Sequence, residues 1–218
     1  MFRPHAMCGA GPTGDYVPVL ALRALCIAVC VTSAVAACAQ EPSEALQTQV
    51  LVPATVEHPR NGEGDIIRLR NGDLLLGYGR WEANGDDFGT AEIWAKTSHD
   101  GGKTWGEDRC LIPNEGKVTT FEVGFCRLKS GDILLSYCTK DSTEDCSVCF
   151  RRSGDEGQTW GEKVKYSIPR PYTGYTAINN GRLIQLSTGR VLLAAYDGWV
   201  RGTPIVSFAL YSDDDGRT

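Results

Sequence analysis

The sequence has 218 residues, of which 42% are hydrophobic and 22% charged, and its formal net charge is −5. This is the composition of a globular protein, and it excludes a chain that is disordered throughout. The acidic balance and the lack of a lysine and arginine block argue against a dedicated nucleic-acid-binding protein, which needs a concentrated basic surface. The 25 glycines suggest many turns between short strands.

Residues 1–39 are interpreted as an export signal. Arg23 precedes an apolar run over residues 24–37, which is too short to span a bilayer. The small residues that end at Cys38 resemble a bacterial lipoprotein box, which would make Cys38 a lipidation site, and they also fit ordinary signal cleavage. In either case we expect an exported protein that is periplasmic, secreted or anchored in the outer membrane through the lipid. Residues 40–55 would then form a linker.

Neither a metal nor an organic cofactor is expected from the sequence. The pair Cys146-x-x-Cys149 has the spacing of some zinc ligands, but no second such pair and no pair of histidines accompanies it. We therefore interpret these cysteines as structural or merely buried, and an oxidising compartment would permit disulfides. The sequence also lacks an H-E-x-x-H pattern, a P-loop and a strand-linked G-x-G-x-x-G pattern.

One turn motif of the form S-x-D-x-G-x-T-W occurs three times, and the third copy stops before the tryptophan. The copies are Ser98-His-Asp100-Gly-Gly102-Lys-Thr104-Trp105, Ser153-Gly-Asp155-Glu-Gly157-Gln-Thr159-Trp160 and Ser212-Asp-Asp214-Asp-Gly216-Arg-Thr218. Their first serines are separated by 55 residues (98 to 153) and by 59 residues (153 to 212). A second motif, Leu-x-x-Gly, recurs in the same register at Gly72, Gly131 and Gly189. A period of this length fits one four-stranded blade of a β-propeller better than a short solenoid repeat.

The repeated motif suits a hairpin turn. Its aspartate can accept backbone N–H bonds, its glycine can take a positive φ, and its tryptophan can pack between layers. We interpret Asp100, Asp155 and Asp214 as structural residues, because an enzyme rarely needs the same catalytic acid once in every repeat.

Each repeat is predicted to contain four strands, since β-branched and aliphatic residues are enriched between the turns. The predicted strands are 65–69, 73–80, 91–98 and 107–112, then 121–128, 132–138, 147–152 and 162–168, then 177–186, 190–196 and 205–211, with the last strand of the third repeat missing. No helical periodicity follows residue 50, so the predicted class is all-β. Residues 56–218 would form about three blades of a β-propeller. Six blades need on the order of 340 residues, so we expect the front part of a longer protein.

The predicted up-and-down topology places both repeated turns at one end of the sheets and the remaining loops at the other. Those remaining loops are longer, and they combine arginines, carboxylates and aromatic rings, which suit a charged sugar. They contain Arg60, Glu63, Arg80, Trp81, Asp86, Asp87, Glu115, Tyr172, Tyr175, Asn179, Trp199 and Arg201.

The turn motif is similar to the Asp-box, also called the BNR repeat, of the sialidase (neuraminidase) superfamily. The segment from Gly72 to Arg80, followed by residues 87–92, resembles the sialidase order of hairpin, Gly-Arg, loop aspartate and strand. The resemblance implies a β-propeller of sialidase type. It also implies a retaining glycoside hydrolase that removes terminal sialic acid or a related acidic sugar, with a glycan as partner. The Asp-box also occurs in non-enzymatic propellers, so a carbohydrate-binding or adhesive surface protein is the alternative.

The resemblance makes Asp87 the candidate general acid and base, with Asp86 as its competitor, and it places Arg80 at the border of the substrate pocket. The family's F/Y-R-I-P motif, whose arginine grips the sialic acid carboxylate, is absent. Arg60 could replace that arginine from a shifted position, with Glu63 beside it.

The remaining aromatic and acidic candidates are given no catalytic role. Trp81 could stack on a sugar face or simply pack. The family's nucleophile, a tyrosine paired with a glutamate, and two more arginines of its carboxylate clamp are expected in later blades. Glu122, Tyr172 and Tyr175 are therefore interpreted as strand or loop packing.

Overall fold

The computed structural model describes residues 47–83, 85–166, 174–198, 202 and 204–218. The predicted export signal with Cys38, residues 40–46 of the predicted linker, and the loop residues Tyr172, Trp199 and Arg201 lie outside these described residues. Residues 48–218 form a unit of their own. In the described part of the chain, no helix is long and apolar enough to cross a membrane.

The described residues form strands and turns without a helix, as predicted for an all-β protein. The strands are β1 (Arg60–Arg68), β2 (Leu74–Trp81), β3 (Ala91–Ser98), β4 (Arg109–Ile112), β5 (Thr119–Arg127), β6 (Ile133–Lys140), β7 (Cys146–Ser153), β8 (Val164–Tyr166), β9 (Thr176–Gln185), β10 (Val191–Asp197) and β11 (Val206–Ser212). They pair with their sequence neighbours into three antiparallel sheets: β1 to β4, β5 to β8, and β9 to β11. Each sheet therefore corresponds to one sequence repeat.

Strand β1 begins at Arg60, five residues before its predicted start at Asp65. The prediction was wrong here because the segment Asn-Gly-Glu-Gly has little β propensity. Pairing with β2 nevertheless holds it in the sheet through a β-bulge between Gly62 and Asp65. At the bulge the backbone of Glu63 has a φ of 54°, which directs the chain away from the regular pleat.

The sheets pack through their first strands, because β5 contacts both β1 and β9. Ile93, Val123 and Ile133, all fully buried, belong to the apolar core that includes the first two sheets. Leu134 and Leu193 belong to a second core that includes the second and third sheets. Each such side chain contributes about 1.5–3 kcal/mol through burial, so the sheets are held by apolar layers, as blades of a propeller are.

Two acidic side chains also join the first strands of neighbouring sheets. The backbone N–H of Phe125 in β5 donates to Asp65 Oδ2 in β1 at 2.8 Å. The N–H of Ile178 in β9 donates to Glu122 Oε2 in β5 at 3.1 Å. Glu122 lies at a bulge with a φ of 59°, at the place in its repeat where Glu63 lies in the first.

The three S-x-D-x-G-x-T motifs form the same turn. In the first, Ser98 Oγ donates to Asp100 Oδ1 at 2.9 Å, and Thr104 donates to the same aspartate from its N–H at 2.9 Å and its hydroxyl at 2.6 Å. The motifs of Asp155 and Asp214 repeat these bonds. The hydrogen bonds from Thr104 lower the pKa of Asp100 to about 2, because they favour its ionised form.

The motif glycines also pack between sheets. Gly216 lies against Leu134 of the second sheet, and Gly157, with a φ of 79°, lies against Leu75 of the first. A Cβ added to Gly157 would be 2.9 Å from Leu75 Cδ2. The backbone of this turn therefore fills the space next to the preceding sheet.

Candidate functional site

A cavity of about 130 Å³ lies at the end of the sheets opposite the repeated turns. Its walls come from all three sheets and the first long loop. It is lined by Glu63, Trp81, Asp87, Phe121, Glu122, Lys140, Tyr175 and Tyr196. A larger cavity of about 410 Å³ is lined by mostly apolar residues of the second and third sheets, with no carboxylate among its described walls. The smaller cavity is the candidate site because it gathers groups able to exchange protons and bind charge.

The two bulges explain why both glutamates reach the cavity. Glu63 and Glu122 each have a positive φ, which costs a residue other than glycine about 1–3 kcal/mol. The bulge removes each residue from the regular alternation of its strand, so its side chain lines the cavity beside the loops. In the third sheet the corresponding stretch contains Gly181, with a φ of 62°, and none of its residues is among those that line the cavity.

Arg60 organises one wall of the site. Its Nη1 donates to Asp87 Oδ1 at 2.6 Å, its Nη2 donates to Glu63 Oε1, and its guanidinium lies 4.1 Å from the centre of the Trp81 ring. Four of the residues predicted from the sequence are thus brought together. The Asp87 side chain is 59% exposed, so its carboxylate lies at the mouth of the cavity.

Two other predicted residues lie elsewhere. Arg80 stacks on Trp94 at 4.3 Å and, unlike its neighbour Trp81, does not line the cavity. Successive side chains of a strand point to opposite faces, so only one of Arg80 and Trp81 can face the site. Asp86 shapes the loop: its Oδ1 accepts the N–H of Phe88 at 2.8 Å.

Lys140 supplies the second cation of the site. It ends β6, is only 2% exposed, and donates from Nζ to the backbone carbonyl of Asp87 at 2.7 Å. Its ammonium lies 4.4 Å from the Phe88 ring centre, 4.7 Å from that of Phe121 and 5.5 Å from that of Tyr175. Burial lowers the pKa of Lys140, and the ring faces offset part of the lost hydration.

The carboxyl groups of the site differ in their environment. Burial raises the pKa of Glu122 to about 8, so this carboxyl holds a proton at neutral pH. Burial also raises the pKa of Glu63, although the Arg60 guanidinium opposes the change. The same effect raises the pKa of Tyr175 and Tyr196. The cavity therefore combines one protonated acid, Glu122, with two acidic side chains, Glu63 and Asp87, that share Arg60.

Two buried polar atoms in this wall have no hydrogen-bond partner within the described residues. They are Glu63 Oε2, an acceptor, and Trp81 Nε1, a donor. A buried polar atom left without a partner costs about 1–3 kcal/mol. A hydroxyl-rich ligand could satisfy both atoms, since each sugar hydroxyl both donates and accepts.

Sequence reasoning missed Lys140 and Tyr196, and it interpreted Glu122 and Tyr175 as packing residues. A usable signal was present in the repeats. Counted from the Leu-x-x-Gly turn of each repeat, Glu122 occupies the position of Glu63, and Lys140 occupies that of Trp81. For the part of the chain that the structure covers, no cluster of metal-ligating side chains is found.

Comparison with known proteins identifies the fold. No protein-family profile and no curated protein sequence matches the chain. A Hadza microbial sialidase has a TM-score of 0.62 at 18% identity, over 74% of this chain and 37% of the sialidase. A Trypanosoma rangeli sialidase in complex with 2,3-difluorosialic acid has a TM-score of 0.59 at 18% identity, over 72% of this chain and 29% of that one.

A leech intramolecular trans-sialidase has a TM-score of 0.61 at 13% identity, over 79% of this chain and 45% of the enzyme. The chain thus spans less than half the length of each of these three proteins. At such identities the likeness establishes the fold, while function has to be argued from the site. The fold is that of sialidases, and the three sheets represent part of a β-propeller.

Proposed function

We propose that this sialidase-type propeller belongs to a glycoside hydrolase that removes a terminal acidic sugar from a glycan. The observation that carries the proposal is the convergence of Asp87, Glu63 and Trp81, all three in contact with Arg60, on one cavity to which Glu122 and Lys140 also contribute. The proposal is supported by neighbours of the same fold that are named sialidases, one in complex with sialic acid. By analogy we propose sialic acid or a related acidic sugar, and a retaining mechanism.

The cavity size supports action at the end of a glycan. Ligand pockets for larger molecules occupy about 300–1,000 Å³, whereas this cavity has about 130 Å³. It could hold part of one terminal sugar, while the rest of the glycan would remain outside near Asp87. An acid at the mouth is where the bond to the leaving sugar would lie.

In this proposal the exposed Asp87 carboxyl takes up a proton from solvent when substrate occupies the site, and it transfers that proton to the leaving oxygen as the glycosidic bond breaks. Its carboxylate is exposed and positioned by Arg60 at 2.6 Å. A substrate anion that approached Arg60 would compete with Asp87 for the guanidinium. We do not assign Tyr175 as the nucleophile, because burial raises its pKa and leaves the hydroxyl protonated.

The test is Asp87→Asn in the full-length protein. A positioned acid contributes about 10²–10⁴-fold to rate, so turnover of a natural glycan should fall by about this factor. An aryl glycoside should lose less, because its leaving group hardly needs a proton. Asp86→Asn tests the neighbour, and Asp100→Asn, in a turn, should reduce stability without this difference between substrates. Full activity of the Asp86 and Asp87 variants on natural glycans would refute the assignment.

The second candidate function is a non-catalytic carbohydrate-binding or adhesive propeller. It is favoured by one observation: Arg60 forms ion pairs with both Glu63 and Asp87. A structural role of these ion pairs would account for Arg60 and Asp87 without catalysis. Binding of sialylated glycans without any turnover of activated substrates would support this function over hydrolysis.

We also propose an exported location, from the signal-like residues 1–39, with Cys38 as the site of a lipid anchor if the lipoprotein box is used. A glycan-processing enzyme would meet its substrate outside the cytoplasm, which agrees with this location.

A further inference from the structure

Lys140 differs from the surface lysines of the chain. A lysine is rarely buried unless its charge is paired, yet within the described residues its Nζ forms one hydrogen bond, to a neutral backbone carbonyl of Asp87. An ammonium carries three donors. Two N–H groups therefore remain for a partner at a cavity wall that Lys140 shares with Phe121, Glu122 and Tyr175.

The nearby carboxyl groups are engaged elsewhere. Glu63 and Asp87 both pair with Arg60. Glu122 accepts the N–H of Ile178, and its carboxyl is protonated near neutral pH because it is buried. No carboxylate of the described chain forms an ion pair with Lys140. Arg60, behind the cavity wall, is thus paired with two acidic side chains, whereas Lys140 lines the cavity without a counter-ion among the described residues.

We propose that the Lys140 ammonium binds the anionic group of the substrate, a carboxylate or a sulfate ester on the terminal sugar. The inference rests on the proposed function for its choice of a sugar as ligand. A charged hydrogen bond in a water-poor site is strong, and the rings of Phe88, Phe121 and Tyr175 hold the ammonium in place before the ligand arrives. The second sheet would then supply the anion recognition that Arg60, bound by two carboxylates, does not offer.

Calorimetric binding to the full-length protein tests this without requiring turnover. The ligands are N-acetylneuraminic acid, its neutral methyl ester, glucuronic acid, galactose 6-sulfate and galactose. We expect the wild type to prefer an anionic sugar over its neutral counterpart by about 10- to 100-fold, the worth of a hydrogen bond to a charged group. Lys140→Met should remove the preference, and Lys140→Arg should restore part of it. Lys165→Met, a control at an exposed lysine paired with Asp141, should keep it.

The possible outcomes either support or overturn anion binding by Lys140. If folded Lys140→Met, checked by its circular dichroism spectrum, keeps the wild-type preference, or if the wild type shows no preference or no binding of the anionic sugars, the inference is overturned. A preference for the sulfated sugar alone, lost in Lys140→Met, would support anion binding by Lys140 and contradict the proposed action on sialic acid. Loss of turnover in Asp87→Asn with unchanged sugar preference would separate the acid from the anion-binding residue.

Discussion

The buried carboxyl of Glu122 makes stability depend on pH in a defined direction. Its pKa is raised from 4.5 to about 8 by burial. Between these values the folded protein keeps a proton that the unfolded chain has released. The resulting contribution to stability is complete below about pH 4.5 and is lost as the pH rises through about 8.

The size of the effect follows from the shift. One proton corresponds to about 1.4 kcal/mol of unfolding free energy per pH unit. The stability lost between pH 4.5 and about pH 8 is therefore at most about 5 kcal/mol. Glu122→Gln removes the titration, while its amide oxygen can still accept the N–H of Ile178. We expect the variant to match the wild type at pH 5 within about 1 kcal/mol and to exceed its stability by a few kcal/mol at pH 8.5.

The assay is urea unfolding of the wild type and the variant from pH 5 to pH 9, followed by tryptophan fluorescence and circular dichroism. Other ionisable side chains lie around Glu122, namely Glu63, Lys140, Cys138 and Cys146. The difference between the two proteins isolates Glu122 and its coupling to these groups. A difference that stays constant over the whole pH range would refute the buried, protonated state of Glu122.

Glu115→Gln provides a control of opposite sign. Burial opposes ionisation of Glu115, but hydrogen bonds from Tyr137 and Arg151 outweigh it and lower its pKa. The stability that Glu115 contributes is present above its unfolded pKa and lost as the pH falls. Replacing it should therefore destabilise the protein most at neutral and higher pH, where Glu122→Gln stabilises it.

Two further predictions concern the turns and the N-terminus. Gly157→Ala should lower the free energy of unfolding by about 2–4 kcal/mol, since it combines a positive φ with a contact to Leu75. Gly101→Ala, with a φ of 75° and no atom within 4 Å of the added Cβ, should cost only about 1–2 kcal/mol. Equal losses in urea unfolding would contradict the packing role. Globomycin should block processing if Cys38 is lipidated, and insensitive processing with an unmodified cysteine would leave ordinary signal cleavage.

The fold could be predicted from the sequence because two turn motifs repeat in one register. Ser98, Ser153 and Ser212 mark equivalent turns, and hydrophobic strands between them leave few other topologies. The start of β1 could not be predicted in this way. Its first residues have no strand-like pattern, and only pairing with β2 and the bulge at Glu63 keep them in the sheet.

The site could be predicted only in part. Arg60, Glu63, Trp81 and Asp87 come from neighbouring stretches of the first repeat, so the composition of its loops and the resemblance to the sialidase order were enough to indicate them. Lys140 comes from another repeat, where a lysine stands in the position of a tryptophan. Its proximity to Asp87 depends on how two sheets pack, which no local pattern records.

The two acidic side chains that join the first strands affect how the sheets separate during unfolding. Asp65 binds a backbone N–H of the second sheet, and Glu122 binds one of the third. Separating either pair of sheets would leave an amide and a carboxyl group to find new partners, in addition to exposing an apolar layer. Neighbouring sheets are therefore coupled, because opening one sheet costs the hydrogen bond and the apolar contacts that it makes with the sheet beside it. Unfolding of the three sheets should therefore be cooperative, although the backbone hydrogen bonds between strands are formed within each sheet.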